Sequence, residues 1–218
     1  MHYGARYAAR VEDAPISPTD DSAFYHRGMR EMQERFDARR LADRLEELTV
    51  HDHVTDTDRA FIDEAPMLFL ATADDQGRPD VSYKGGHPGF VRVLDQSTVA
   101  FAVYDGNGQF RSLGNIAVNP AVGLLFVRFD PPWRIRVNGL AAVVFPDDDP
   151  ALVASFHGAV AVVVIRTTQV FPNCGRYVHR SSADISTYAP AFGHEPPAAE
   201  WKQMDMIRPY LPHSTPPA

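Results

Sequence analysis

Tyr104–Pro120 reads YDGNGQFRSLGNIAVNP. The apolar run VAFAVY before it ends in Asp105-Gly106-Asn107-Gly108, residues that in a plain hairpin would reverse the chain into another alternating strand. The next residues do not alternate. Phe110, Leu113, Ile116 and Ala117 fall at the spacing of one short helix, and Asn119-Pro120 supplies its stop. A strand therefore ends, glycines open the backbone with Gly106 expected at positive φ, and a helix begins with Arg111 and Ser112 in its first turn.

Working outward, the flanking segments read as short strands. On the N-terminal side Thr55 and Asp58 form a capping box for the helix DRAFIDEA. MLFLATA comes next as a buried strand, ADDQGRPD as turn residues, then DVSYK, the glycine-broken run GGHPGFVRVL, and TVAFAVY. On the C-terminal side come VGLLFVRF, a tight DPPW turn and RIRVNGLAAVVF. About six short strands with one inserted helix favour an antiparallel barrel over a doubly wound sheet. No GxGxxG succeeds a strand, so a Rossmann reading lacks its fingerprint. PDDDPALVASFHG then reads as a short helix with acidic capping, GAVAVVVIRTTQVF as one long strand and NCGRYVHR as a basic exit from it. Beyond residue 181 the chain is rich in Pro, Ala and Ser, with WKQMDMI as a helical turn and HSTPPA expected to be disordered.

Three regions result: a helical arm over 1–54, a barrel domain over 55–180, and a partly disordered extension over 181–218. In the arm, Ser17-Pro18-Thr19-Asp20 has the pattern of a helix start. Met29, Met32, Phe36, Leu41, Leu45 and Leu48 then recur at roughly helical spacing among charges. That stripe suits an arm packed on a partner subunit and equally a helix lying on its own domain. His51 and His53 have the spacing of strand-borne metal ligands, but no third ligand is near, and a solvated loop is the expectation.

Composition bounds the class. The 218 residues can bury one good core, and 44% hydrophobic with 22% charged residues is ordinary for a soluble globular chain. The longest apolar run, AVAVVVI, is strand-sized and too short to span a bilayer. The first residues, MHYGARYAARVEDAP, lack the apolar core of a signal peptide. Cys174 is alone, so a disulfide framework is excluded and a cytoplasmic location is expected. It reads as a buried small residue rather than a nucleophile. A net charge of −7 speaks against a nucleic-acid partner while leaving room for a local phosphate pocket.

Two places combine glycine with cationic or hydroxyl residues at a strand end. One is Ser82-Tyr83-Lys84-Gly85-Gly86; the other is Asp105-Gly106-Asn107-Gly108 with Arg111-Ser112. Glycine allows close approach to backbone amides, a helix N-terminus favours an anion, and arginine, serine and lysine add donors. Together they suit a phosphate monoester whose flat remainder lies along a strand edge.

These same residues carry a resemblance. SYKGG, PGFVRVL, YDGNG, NP and RVNG, in this order within residues 57 to 180, resemble the pyridoxamine 5′-phosphate oxidase-like family of FMN-binding split barrels. The resemblance implies a six-stranded antiparallel split β-barrel that forms a homodimer, with two FMN molecules where the subunits meet. Matched from the turn at Gly77 and Pro79, the family's flavin-side strand falls on Ser82 through His87, with Ser82 and His87 in place of an arginine and a lysine. Lys84 restores part of that charge. Counted back from Asn119-Pro120, Arg111 falls on a phosphate ligand and Ser112 on a lysine position. The family's Tyr-Thr-Asn falls on Asp105, Gly106 and Asn107. A ring-side glutamine falls on Arg134, where a cation would stabilise negative charge on a reduced flavin. Of Arg134 and Arg136, alternation is read as letting only one face the ligand, here Arg134.

The substrate-holding arginines and tryptophan of the oxidases have no aligned counterpart, although Arg176, Tyr177 and Trp201 are present. Vitamin B6 synthesis is therefore not expected. The reading is a flavin-dependent oxidoreductase of unknown substrate, served by a reduced nicotinamide donor or another small molecule. The alternatives are the same barrel holding deazaflavin or haem, with His87 or His179 as axial ligand, and a non-catalytic flavin sensor.

Overall fold

A computed structural model of the chain describes residues 24–175 together with 178, 191–195, 197 and 205. The helix start at Ser17, the residues Arg176, Tyr177, His179 and Trp201, and most of the C-terminal extension lie outside the described residues. The apolar stripe of the arm forms two helices rather than one, α1 (Arg27–Arg35) and α2 (Arg39–Thr49). They break where Asp37 takes φ +50, a conformation that ends a helix. Arg30 links them, binding Asp43 and Glu46 and lying 4.6 Å over the Tyr25 ring. No residue of either helix is buried, and Met32, Phe36, Leu41 and Leu48 are exposed.

His51 joins the arm to the sheet through a bridge with Val170. The capping box is present at α3 (Asp56–Asp63): Asp58 N donates to Thr55 Oγ1 at 3.2 Å, and Thr55 N donates to Asp58 Oδ2 at 3.0 Å. The same carboxylate meets His51 Nε2 at 2.8 Å. His53 lies beside Asp52, and among the described residues no group of metal-binding side chains is found.

Among the described residues seven strands come after α3: β1 (Met67–Ala73), β2 (Pro79–Gly85), β3 (Val91–Asp95), β4 (Thr98–Val103), β5 (Ala121–Phe129), β6 (Pro132–Val144) and β7 (Ala161–Cys174). Helix α4 (Arg111–Val118) stands between β4 and β5, and α5 (Pro150–Ser155) between β6 and β7. Asp149 caps α5 by accepting from Leu152 N at 3.0 Å. The strands form one sheet in the order β2-β1-β5-β6-β7-β4-β3, every neighbouring pair antiparallel. The fold is thus the expected antiparallel split barrel, with seven strands where six were implied. The long strand expected at GAVAVVVIRTTQVF is β7, which pairs with β6 on one side and β4 on the other.

One face of the curled sheet holds the core. Leu68 and Leu70 of β1, Leu124 and Phe126 of β5, and Ile135 and Val137 of β6 are buried there with Phe101 and Phe156, while β7 is buried on both faces through the consecutive residues Val162 to Ile165. The ladder between β6 and β7 bulges beside Gly139. An added Cβ there would press on the Arg166 carbonyl oxygen and lie 2.7 Å from Ile165 Cγ2, so the close approach of the strands requires glycine.

The outer face of β2, β1 and β5 is only partly covered. β1 alternates instead of being buried throughout, with Phe69 and Ala71 exposed. Tyr83, Phe69, Leu125, Arg136 and Phe171 form one cross-strand row. Phe24 covers the Phe171 end, ring centroids 5.0 Å apart. At the other end Tyr83 is 61% exposed and its neighbour Val81 70%.

Candidate functional site

The period of two along β2 sorts the first group of candidate residues. Asp80, Ser82 and Lys84 pair with Thr72, Leu70 and Leu68 and share the core side, while Val81 and Tyr83 point outward. Helix α4 covers that core side. Asn115 Nδ2 donates to Thr72 Oγ1 at 3.0 Å, and Asn119 Nδ2 donates to the Asp74 carbonyl at 3.2 Å, which fixes the helix over β1 and β2.

Three predicted residues meet as a result. Ser82 Oγ and Ser112 Oγ are 2.9 Å apart, and Lys84 Nζ donates to Ser112 Oγ at 3.4 Å. Ser112 is buried and Lys84 half-buried. Burial lowers the Lys84 pKa from the ordinary lysine value of 10.5, while Asp80 acts to raise it. No carboxylate lies within ion-pair distance of Lys84 Nζ among the described residues. Arg111 stands beside the group, exposed, with Nη2 3.5 Å from Asp80 Oδ1. Asp80 is an addition to the residues singled out from motifs, and it belongs with them by the alternation Asp80, Ser82, Lys84.

The turn before α4 has a different geometry from the one expected. Positive φ falls on Gly108 (+74) and on Phe110 (+48), not on Gly106. Asn107 Oδ1 accepts from Gln109 N at 3.1 Å, a local turn that carries the chain into the helix. Phe110 occupies the N-cap, and among the described residues no side chain caps α4, so its first amides are open to an anion. Asp105, Gly106 and Asn107 are exposed on this approach.

The remaining candidates serve other contacts. An added Cβ at Gly85 would lie 2.7 Å from the Tyr83 ring and hydroxyl, and one at Gly86 would lie 2.6 Å from Phe90 Cβ and 3.1 Å from Tyr104 Oη. Both glycines therefore make room for aromatic side chains. Arg134 and Arg136, two apart on β6, lie on the same outer face rather than on opposite ones, with buried Ile135 between them. Arg134 Nη2 donates to the Cys174 carbonyl at 2.9 Å, and its Nε is buried without a partner among the described residues. Within one chain Arg134 and Tyr83 are thus on the face opposite Ser82, Lys84 and Ser112. Cys174 is exposed, not buried, because it ends β7 beyond the core.

A half-buried cation, two hydroxyls and an open helix N-terminus converge on one corner of an antiparallel split barrel. The profile of the family "Pyridoxamine 5′-phosphate oxidase" matches residues 54–172, more than half of the chain. The chain belongs to this family. No curated protein matches it. Solved structures that it resembles include HupZ of Group A Streptococcus, 19% identical over 59% of this chain and 99% of that one, TM-score 0.43. HutZ from Vibrio cholerae, described as a heme storage protein, is 20% identical over 56% and 96%, TM-score 0.40. An FMN-binding protein from Syntrophomonas wolfei is 13% identical over 66% and 97%, TM-score 0.41.

Proposed function

We propose that the protein is an FMN-binding oxidoreductase whose cofactor phosphate sits at the N-terminus of α4. The observation that carries this reading is Lys84, a half-buried ammonium without an ion-pair partner among the described residues, aimed at Ser112. A buried cation is costly unless an anion accompanies it. A phosphate here would accept from Lys84, Ser82, Ser112 and the first amides of α4, with Arg111 closing from the solvent side. Bound FMN would supply the electron transfer, and the chain would supply binding, orientation and charge.

The outer face fits a homodimer. Phe69, Val81 and Tyr83 leave an apolar surface at the β2 edge, and a second copy would cover it. Tyr83 and Arg134 would then stand at the subunit boundary, where Arg134 could favour negative charge on the flavin. A reduced nicotinamide is the proposed electron donor, and the lone Cys174 suits a cytoplasmic setting.

The test is the visible spectrum of the purified protein, with mass spectrometry of whatever heat releases. Released FMN, or tight uptake of added FMN, supports the reading. Haem or a deazaflavin would keep the barrel and replace the cofactor. A colourless protein that refuses added FMN would sink the proposal.

A further inference from the structure

Helices α1 and α2 meet through polar contacts. Arg30 of α1 binds Asp43 and Glu46 of α2, Arg39 Nη1 lies 2.7 Å from Glu34 Oε1, and the Tyr25 hydroxyl donates to the Ala42 carbonyl at 3.3 Å. The pairs Glu34–Arg39 and Arg30–Asp43 step in opposite directions along the two helices, so the hairpin is antiparallel. Both of its ends are tied to β7, where Phe24 packs on Phe171 and His51 bridges Val170. No residue of α1 or α2 is buried between those ties.

Six large apolar side chains are left in water as a result. Met29, Met32, Phe36, Leu41, Leu45 and Leu48 are 43–76% exposed. At about 100° per residue, they lie roughly a quarter-turn from the half-buried positions Arg30, Gln33, Ala42 and Glu46, where the helices face each other. The offset has the same sense on both helices, and in an antiparallel pair that brings both stripes to one side of the hairpin. Of the two readings of this stripe, a helix lying on its own domain is removed by these exposures. The barrel has a matching bare patch. The outer cross-strand row that ends at Phe171, beside the arm, begins at Tyr83, where Phe69, Val81 and Tyr83 are exposed.

We infer that each arm lays its apolar side on the β2 edge of a second copy of the chain, in a reciprocal exchange. Two outer faces related by a two-fold axis bring the Phe171 end of one row, which carries the arm, to the Tyr83 end of the other. By their fractional exposures the arm residues offer roughly 600 Å² and the sheet residues roughly 300 Å². A stable interface takes about 800 Å² from each partner, which neither patch gives alone and the two give together. Between residues 27 and 49 six arginines balance six carboxylates, so the arm lacks the basic excess that attracts an anionic lipid surface. The inference rests on the homodimer proposed above and not on the flavin.

Full-length protein with a photocrosslinker, p-benzoylphenylalanine, in place of Phe36 tests it, alongside sedimentation of the wild type. Wild type should sediment as a dimer, and irradiation should give a covalent dimer joined to residues 79–85 of β2. Leu41→Gln combined with Leu48→Gln keeps good helix formers and should raise the dimer Kd at least about tenfold, with circular dichroism unchanged. A dimer whose crosslinks stay within one chain, or join arm to arm, overturns the exchange and leaves the homodimer standing. An unchanged Kd in the double variant does the same. A monomeric wild type overturns the homodimer and the exchange together.

Discussion

Ser82 on β2 and Ser112 on α4 are joined hydroxyl to hydroxyl at 2.9 Å, across 30 residues of chain. The bond closes the angle between an edge strand and a helix inserted after β4. It also places Lys84, two residues along the strand, against the first turn of that helix.

Lys84 should matter more to flavin binding than Arg111. Lys84 is half-buried, whereas Arg111 is exposed and shared with Asp80. Lys84→Met should weaken FMN by about 2 kcal/mol, the scale of a hydrogen bond to a charged group, and Arg111→Ala by about 1 kcal/mol or less. Fluorescence titration of FMN gives both values. A larger loss in Arg111→Ala would place the phosphate outside the cleft.

The depressed Lys84 pKa fixes two opposite trends. Between its folded value and 10.5 the unfolded chain binds more protons, so the ligand-free protein gains stability from this group as pH rises through that window. Lys84→Met removes the gain, and the difference in thermal midpoint between the two proteins should shift toward wild type with rising pH. FMN affinity should fall over the same window, because the phosphate needs the ammonium. A pH-independent difference would mean that Lys84 is not desolvated.

Val81→Asp should separate the proposed dimer. The residue is 70% exposed on the outer face of an edge strand, so one folded chain tolerates a charge there. Sedimentation should show the variant as a monomer with native circular dichroism and wild type as a dimer. Two dimers, or two monomers, would place the interface elsewhere or remove it.

Asp58 should be a stability residue. Its carboxylate accepts from Thr55 N, from Thr55 Oγ1 at 2.6 Å and from His51, tying the end of the arm, α3 and the β7 bridge together. Asp58→Ala should cost about 2 kcal/mol in urea denaturation, since it removes a cap and leaves the part-buried donors of Thr55 and His51 unmatched. A loss below about 0.5 kcal/mol, the scale of an ordinary surface substitution, would show that the cluster carries little.

Glycines should divide by position. Gly139→Ala forces a Cβ onto the Arg166 backbone and should destabilise by roughly 3 kcal/mol or prevent folding. Gly106→Ala meets nothing closer than the Tyr104 carbonyl at 4.0 Å and should leave the thermal midpoint unchanged. Gly108→Val should lower it, because Gly108 holds φ +74. Equal effects at 106 and 108 would contradict this turn.

Elements whose signals are local are legible directly in the sequence. The capping box at Thr55, the Asp149 cap, the Asn119-Pro120 stop and each strand depend on neighbours a few residues away. The grouping of Ser82, Lys84 and Ser112 comes from motif chemistry plus the family resemblance. Other features depend on distant partners or on competing local bonds. Which glycine turns left-handed depends on the Asn107–Gln109 hydrogen bond, and the role of Gly86 on the side chains of Phe90 and Tyr104, 4 and 18 residues away. Asp80 and the shared face of Arg134 and Arg136 lie in a strict two-residue period, a signal that the motifs alone do not carry.

The strand order also has a consequence for synthesis. β3 and β4 reach the other strands of the sheet only through β7, the last strand to be made. A nascent chain that has emerged as far as β6 holds two sheet fragments with no ladder between them, each exposing an edge that β7 will occupy. The barrel can therefore close only after residues 161–174 clear the ribosome, and until then those edges need shielding.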